Sequence, residues 1–184
     1  ANVGALDYLP AGADVQNLTW EEFAEWAVAI AEGEGEGKVA VTGVPEKSLI
    51  YQVGAIALSY GGGFPDVNSE AAAKAWEIMA AMRNAFTPTV DTYDGLVEPM
   101  KRGEAWLTWA HVANVGDIYN SNPSQYVVAP VPGGSAGKGS IAGTQGFAIP
   151  VGSPNRDLAI ELIEYMTRPD IMVKLAKGAG GWIP

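Results

Sequence analysis

Apolar and polar positions along the chain change period several times, and each change predicts an element. Residues 1–18 carry Pro10, Gly12 and Asp14 as breakers and predict an extended lead-in. A helix starts next. Thr19 stands three residues before Glu22, the spacing of a capping box, and Trp20, Phe23, Ala27, Ile30 and Ala31 recur at helical period. The polar run Glu34–Gly37 ends it. A short strand is predicted at Val39–Val41, a buried helix at Ser48–Ser59 closed by Gly61–Gly63, and an amphipathic helix at Ser69–Phe86. The last has Ala72, Trp76, Met79, Met82 and Phe86 as its apolar stripe.

The second half reads in shorter units. A short helix is predicted at Tyr93–Lys101 with Gly103 as its stop, and a strand at Ala105–Trp109. A helix is predicted at Val112–Tyr119, and strands at Tyr126–Ala129 and Phe147–Ile149, each halted by proline. Gly133–Gly139 reads as a flexible loop. A helix over Asn155–Met166 takes Leu158, Ile160, Leu162, Ile163 and Tyr165 as its apolar side, and a last helix opens on Pro169 and ends at Gly178. Helices alternating with short strands point to an α/β fold with a mixed, short-stranded sheet flanked by helices.

Composition and charge narrow the function. With 11 basic and 21 acidic residues the chain carries a net charge of −10, which opposes nucleic-acid and anionic-lipid binding. No apolar run reaches the length of a membrane span, and Ala1–Pro10 lacks the basic-then-apolar pattern of a signal peptide. There are no cysteines, so disulfides, cysteine metal sites and thiol nucleophiles are excluded. His111 is the one histidine, too few for a histidine-rich metal site, and no G-x-S-x-G elbow accompanies it.

The Gly133–Ser140 stretch fails as a phosphate loop. Only three residues separate Gly133 from Gly137, and Gly139 rather than Ser or Thr follows Lys138. The carboxylates Asp91, Asp94, Glu98 and Glu104 have no spacing that selects a catalytic pair. No catalytic residue, metal or cofactor is therefore assigned.

Six tryptophans remain. Trp20, Trp26 and Trp76 fall at core spacing on helices. Trp106 and Trp109, three apart on a strand, are expected on opposite faces, one in the core and one toward a cleft. Trp182 stands in a glycine-rich turn, where a ring suits the apolar face of a sugar.

Several segments together resemble one family. They are Leu18–Phe23, Tyr60–Gly63, Ser69–Ala71 with Ala75, Met100–Leu107 and Ala129–Gly134, then Gly143 with Gly146–Ile149, Ser153–Asn155 with Ala159 and Tyr165–Thr167, and Gly181–Pro184. In this order they are similar to the extracellular solute-binding proteins of ABC importers, in the maltose-binding-protein-like group. The resemblance implies one lobe of a type II periplasmic-binding-protein fold. On it, residues 1–184 are expected to form a single carboxy-terminal lobe, with the amino-terminal lobe and a distal carboxy-terminal segment absent.

It also implies a receptor for a small solute, a mono- or oligosaccharide, that closes on its ligand and docks on membrane permease subunits, outside the cytoplasm and lipid-anchored in a full-length parent. By position in that family, Trp109, His111, Gly143, Thr144, Gln145 and Trp182 are expected at the ligand cleft, with Tyr51 and Tyr60 as further candidates. A glycoside-acting hydrolase and a receptor for a non-sugar solute are the alternative readings.

Overall fold

The computed structural model describes residues 1–45, 48–143 and 146–178. The chain divides into two compact units, Ala1–Ile141 and Ala142–Pro184.

The first unit is built on helix α1 (Trp20–Glu34), α2 (Ser48–Ser59) and α3 (Glu70–Ala81). The capping box forms as its spacing requires. The Glu22 amide donates to Thr19 Oγ1 at 3.1 Å, and the Thr19 amide donates to Glu22 Oε2 at 2.7 Å. Gly35 ends α1 with φ at 75°, a left-handed turn that suits glycine. Trp20, Trp26, Ala27 and Ile30 lie on one stripe of α1, all of them buried. Trp26 satisfies its indole N–H on the Ala5 carbonyl at 2.7 Å.

That bond explains why the first residues are not an extended lead-in. Val3–Tyr8 forms a 3-10 turn, capped by the Asn2 side chain, which brings Ala5 into the core beneath Trp26. A breaker-rich sequence forbids a long helix but permits one tight turn.

Extended segments run through this unit as single bridges rather than long strands. Val39 bridges Phe86 and Leu107 in parallel, and Asn2 bridges Tyr126 antiparallel. The Asn2 amide donates to the Trp106 carbonyl at 2.7 Å, so the spatial order is Phe86, Val39, Leu107, Asn2, Tyr126. This is the expected mixed sheet in rudimentary form. Val39, Val41, Leu107 and Trp109 face the large core shared with α1–α3. Ala40, Ala105 and Tyr126 join a second, smaller core with α4 (Val97–Lys101) and α5 (Val112–Ser121). The layer is therefore buried on both sides, which gives the α/β sandwich.

Trp106 and Trp109 do not face opposite ways, for a local reason. The Trp106 and Leu107 amides both donate to the Lys38 carbonyl, at 2.7 and 3.1 Å. Two residues opposing one is a bulge, and it resets the alternation, so both indoles pack against the large core.

Helix α3 also differs from its predicted length. It stops at Ala81, and Phe86 turns away to bridge Val39. Ala72, Ala75, Met79 and Met82 form the buried stripe, while Trp76 points outward at 48% exposure. Trp76 stands one residue past Ala75, about 100° round the helix from it. Tyr93 lies outside any helix; only Val97–Lys101 is helical there, and Gly103 follows with φ at 72°.

The glycine-rich stretch is a packed hairpin, not a flexible loop. Strands β1 (Gly133–Gly134) and β2 (Gly137–Lys138) pair antiparallel, and the Ala136 amide donates to the Ser59 carbonyl at 2.8 Å. A Cβ on Gly134 would lie 2.6 Å from that same carbonyl oxygen. Glycine is needed because two backbones meet here.

The second unit carries helices α6 (Arg156–Met166) and α7 (Pro169–Gly178), close to their predicted limits. Neither buries a residue fully, and Leu158, Leu162, Tyr165 and Val173 are more than half exposed. Phe147–Ile149 is not a strand. A strand needs an extended neighbour, and the described part of this unit offers only helices.

Candidate binding cleft

The first unit contains an open cleft of about 400 Å³. Its floor comes from Thr42, Gln52 and Trp109, one wall from Ser48 and Tyr51 of α2, and another from His111, Asn114 and Val115 at the start of α5. Asp94 and the prolines Pro130 and Pro132 lie along the remaining sides.

The floor is polar in composition but chemically committed. Gln52 Nε2 donates to the Trp109 carbonyl at 2.9 Å, while Trp109 Nε1–H donates back to the Gln52 carbonyl at 3.0 Å. The Thr42 amide and hydroxyl both donate to Gln52 Oε1, each at 2.9 Å. Trp109 is 7% exposed and meets Trp20 and Phe23 edge-on, with ring centroids 5.4 and 5.5 Å away. Its indole thus lies in the core beneath the cleft, with its polar edge already used.

The rim is different. Tyr51 stacks on Phe64 with centroids 5.5 Å apart at 25°, and His111 meets Tyr51 edge-on at 5.1 Å. Tyr51 and His111 thus give the cleft an aromatic edge, and Phe64 backs Tyr51 from outside the lining residues. The His111 backbone sits at the N-cap of α5, where its carbonyl accepts from the Val115 amide at 3.1 Å, and the imidazole does not cap the helix. Among the described residues, the side-chain polar atoms of Ser48, Tyr51, Asp94, His111 and Asn114 have no hydrogen-bond or ion-pair partner.

Tyr60 is not part of this cleft. Its hydroxyl donates to Glu21 Oε2 at 2.7 Å, Lys74 lies 5.6 Å over its ring, and Lys74 pairs with Glu21 at 3.1 Å. The network ties α1, α2 and α3 together at the surface. Burial, followed by the hydrogen bond to Glu21 and its charge, raises the Tyr60 phenol above its ordinary value of 10.0. At Glu21 burial pushes the carboxyl up, but the hydrogen bonds from Tyr60, its own amide and Lys74 outweigh it, and the net displacement is downward.

A proton held more tightly by the folded state stabilises it fully below the unfolded value, and that stability is lost as pH rises through the folded one. Unfolding free energy is therefore expected to fall as pH climbs above 10, and Tyr60→Phe is expected to flatten that fall. Urea titrations at pH 8 to 11 check it, and parallel curves for the two proteins would rule the coupling out.

Gly143 lies in the second unit, and a Cβ there would meet no atom within 4 Å. Thr144, Gln145 and Trp182 lie outside the described residues. Asp94, Asn114 and Phe64 were not singled out as binding residues from the sequence. A lone carboxylate, amide or loop phenylalanine carries no pattern of its own; the Gly-Gly-Gly-Phe-Pro run following a buried helix was the available hint for Phe64. Among the described residues, no group of three or more His, Cys, Asp or Glu could hold a metal ion, and no helix is long and apolar enough to cross a membrane.

A family model described as bacterial extracellular solute-binding protein matches residues 6–184, nearly the whole chain. The chain belongs to the bacterial extracellular solute-binding proteins. Solved structures share the fold of this solute-binding protein. An ABC transporter solute-binding protein from Thermotoga lettingae, bound with alpha-D-tagatose, superposes with a TM-score of 0.75 at 22% identity, covering 100% of this chain and 50% of that one. Maltose-bound MalE3 of T. maritima gives 0.68 at 21%, covering 96% and 49%. The apo form of RafE from Streptococcus pneumoniae gives 0.68 at 20%, covering 97% and 50%. The chain thus spans about half the length of each. A comparison with curated proteins finds no significant match. The helix-rich α/β architecture is that of a periplasmic-binding-protein lobe, as the motif order implied.

Proposed function

We propose that this chain supplies one wall of the ligand cleft in a carbohydrate receptor that serves an ABC importer. The observation that carries the reading is the contrast inside the 400 Å³ cleft. Its floor is saturated with internal hydrogen bonds, whereas its rim offers aromatic rings and uncommitted polar groups. Sugars present apolar C–H faces and a ring of hydroxyls, so they need those two things side by side.

The wall corresponds to the carboxy-terminal lobe of a two-lobe protein. An amino-terminal lobe, outside this chain, supplies the opposite wall, and closure of the two around solute creates the form that docks on permease subunits. Two relatives of the same fold are described with tagatose and maltose bound, which supports a carbohydrate. The receptor works in the periplasm or outside the cell, lipid-anchored in the full-length parent, and it binds without turnover. A hydrolase of the common type needs two carboxyl groups across the scissile bond. Among the described residues, Asp94 is the one carboxylate that lines the cleft.

Titration calorimetry of the chain with maltose, D-tagatose and raffinose tests the proposal. At least one of the three is expected to bind saturably in the millimolar range, weakly because half the cleft is supplied by another segment. No saturable heat with any of them would overturn the carbohydrate reading, and steady release of monosaccharide from maltose or raffinose would replace it with the hydrolase.

A further inference from the structure

The charge on the cleft rim narrows the solute further. Asp94 is exposed and makes no ion pair or hydrogen bond among the described residues. Among the described residues, no lysine or arginine lines the cleft with it. Arg102 lines the adjoining cavity that shares Asp94 and Asn114 with the cleft. Arg102 is already paired, to Glu98 at 3.6 Å and to Glu104 at 3.7 Å.

A carboxylate that lines a concave, largely apolar cleft does two things. It accepts hydrogen bonds from neighbouring hydroxyls, and charge-assisted bonds of this kind are stronger than neutral ones. It also repels a second anion, and a water-poor wall strengthens that repulsion. Asn114, with an amide that both donates and accepts, lines the same cleft.

We propose that Asp94 makes this wall selective for uncharged polyhydroxylated solutes and rejects phosphorylated or carboxylated ones. The inference rests on the receptor reading above and adds the charge class of the ligand. Asp94 acts as a specificity-determining residue: it holds hydroxyls of the solute and raises the energy of an anionic competitor in the same place.

Matched pairs test it. D-Tagatose is compared with D-tagatose 6-phosphate, and maltose with maltose 6′-phosphate, by calorimetry on the chain and on Asp94→Asn at low and moderate salt. The neutral member of a bound pair is expected to bind at least tenfold more tightly than its phosphate. In Asp94→Asn the ratio is expected to drop to threefold or less, because the neutral sugar loses an acceptor and the phosphate loses a repulsion. Asparagine has the same size as aspartate, so a ratio unchanged in Asp94→Asn would mean steric exclusion and would overturn the assignment. Equal binding of both members by the unmodified chain would overturn it as well. If neither sugar nor phosphate binds, the receptor reading itself falls, an outcome distinct from binding without discrimination.

Discussion

Replacing Trp109 with alanine is expected to destabilise the first unit by about 3–5 kcal/mol, the range for truncating a buried indole. The ring is 7% exposed and supports Trp20 and Phe23 through edge contacts. Removing it leaves a void that the bulged segment cannot close, because Trp106 and Leu107 are pinned to the Lys38 carbonyl. It also removes the indole N–H that donates to the Gln52 carbonyl at 3.0 Å, a second bond on a carbonyl already within α2.

Trp109→Phe separates the two effects. It keeps most of the ring but not the N–H, and a loss of about 0.5–1.5 kcal/mol is expected from the missing hydrogen bond alone. Domains of this size are stable by about 5–15 kcal/mol, so the alanine variant should unfold at a much lower urea midpoint. A loss under 1 kcal/mol for Trp109→Ala would mean that the indole is not a core strut.

Trp109 also marks the limit of what the sequence could reveal. Its type and position suggested a ring near the cleft, and it does line the cleft floor. What no pattern could supply was the bulge at Lys38, which turns Trp106 and Trp109 toward one core. Alternation predicts faces only where the ladder is regular.

The helices were legible because their signals are local. Thr19 with Glu22 defined one start, Ser69 another, and Pro169 a third. Strands were less legible, since pairing depends on partners far away in sequence. Val39–Val41 was visible as an apolar run, but its partners Phe86 and Leu107 were not deducible from it. Trp76 was misread because a bulky ring dominates a stripe drawn by hydrophobicity, whereas small alanines at 72 and 75 make the close helix contact.

The cleft divides in the same way. Tyr51 and His111 came from the family resemblance, and the structure brings their rings together at 5.1 Å. Phe64 and Asp94 sit on loops whose course is set by packing elsewhere, so only coordinates could bring them to the same site or beside it. Charge composition argued against nucleic acid from the start, but it could not reveal that, in a chain of net charge −10, Asp94 is the one carboxylate among the described residues that line this cleft.

The second large effect concerns a glycine rather than a ring. Gly139→Ala is expected to cost about 2–4 kcal/mol, from overpacking together with a broken buried hydrogen bond. A Cβ at this position would lie 2.3 Å from the Ala55 carbonyl oxygen, 2.6 Å from the Ser59 amide nitrogen and 2.8 Å from Leu58 Cβ. Two of the three are backbone atoms of α2, so the hairpin rather than the helix must move.

Movement breaks a node with no spare capacity. Ser59 Oγ accepts from Trp20 Nε1–H at 3.0 Å and from the Gly139 amide at 2.9 Å, and its own hydroxyl donates to the Ala55 carbonyl at 2.9 Å. This fully buried hydroxyl joins α1, α2 and the hairpin at once. Gly152→Ala is the control: no atom lies within 4 Å of a Cβ there, and its backbone is not left-handed, so a gain of up to about 1 kcal/mol is expected.

Urea unfolding of both variants gives the two signs. Coupling gives the mechanism: once the hairpin has been displaced, Ser59→Ala should cost less in the Gly139→Ala background than alone, because one of its three bonds is already gone. Strictly additive losses would mean that the hairpin does not rest on Ser59, and that glycine at 139 serves the loop's own course rather than its seat on α2.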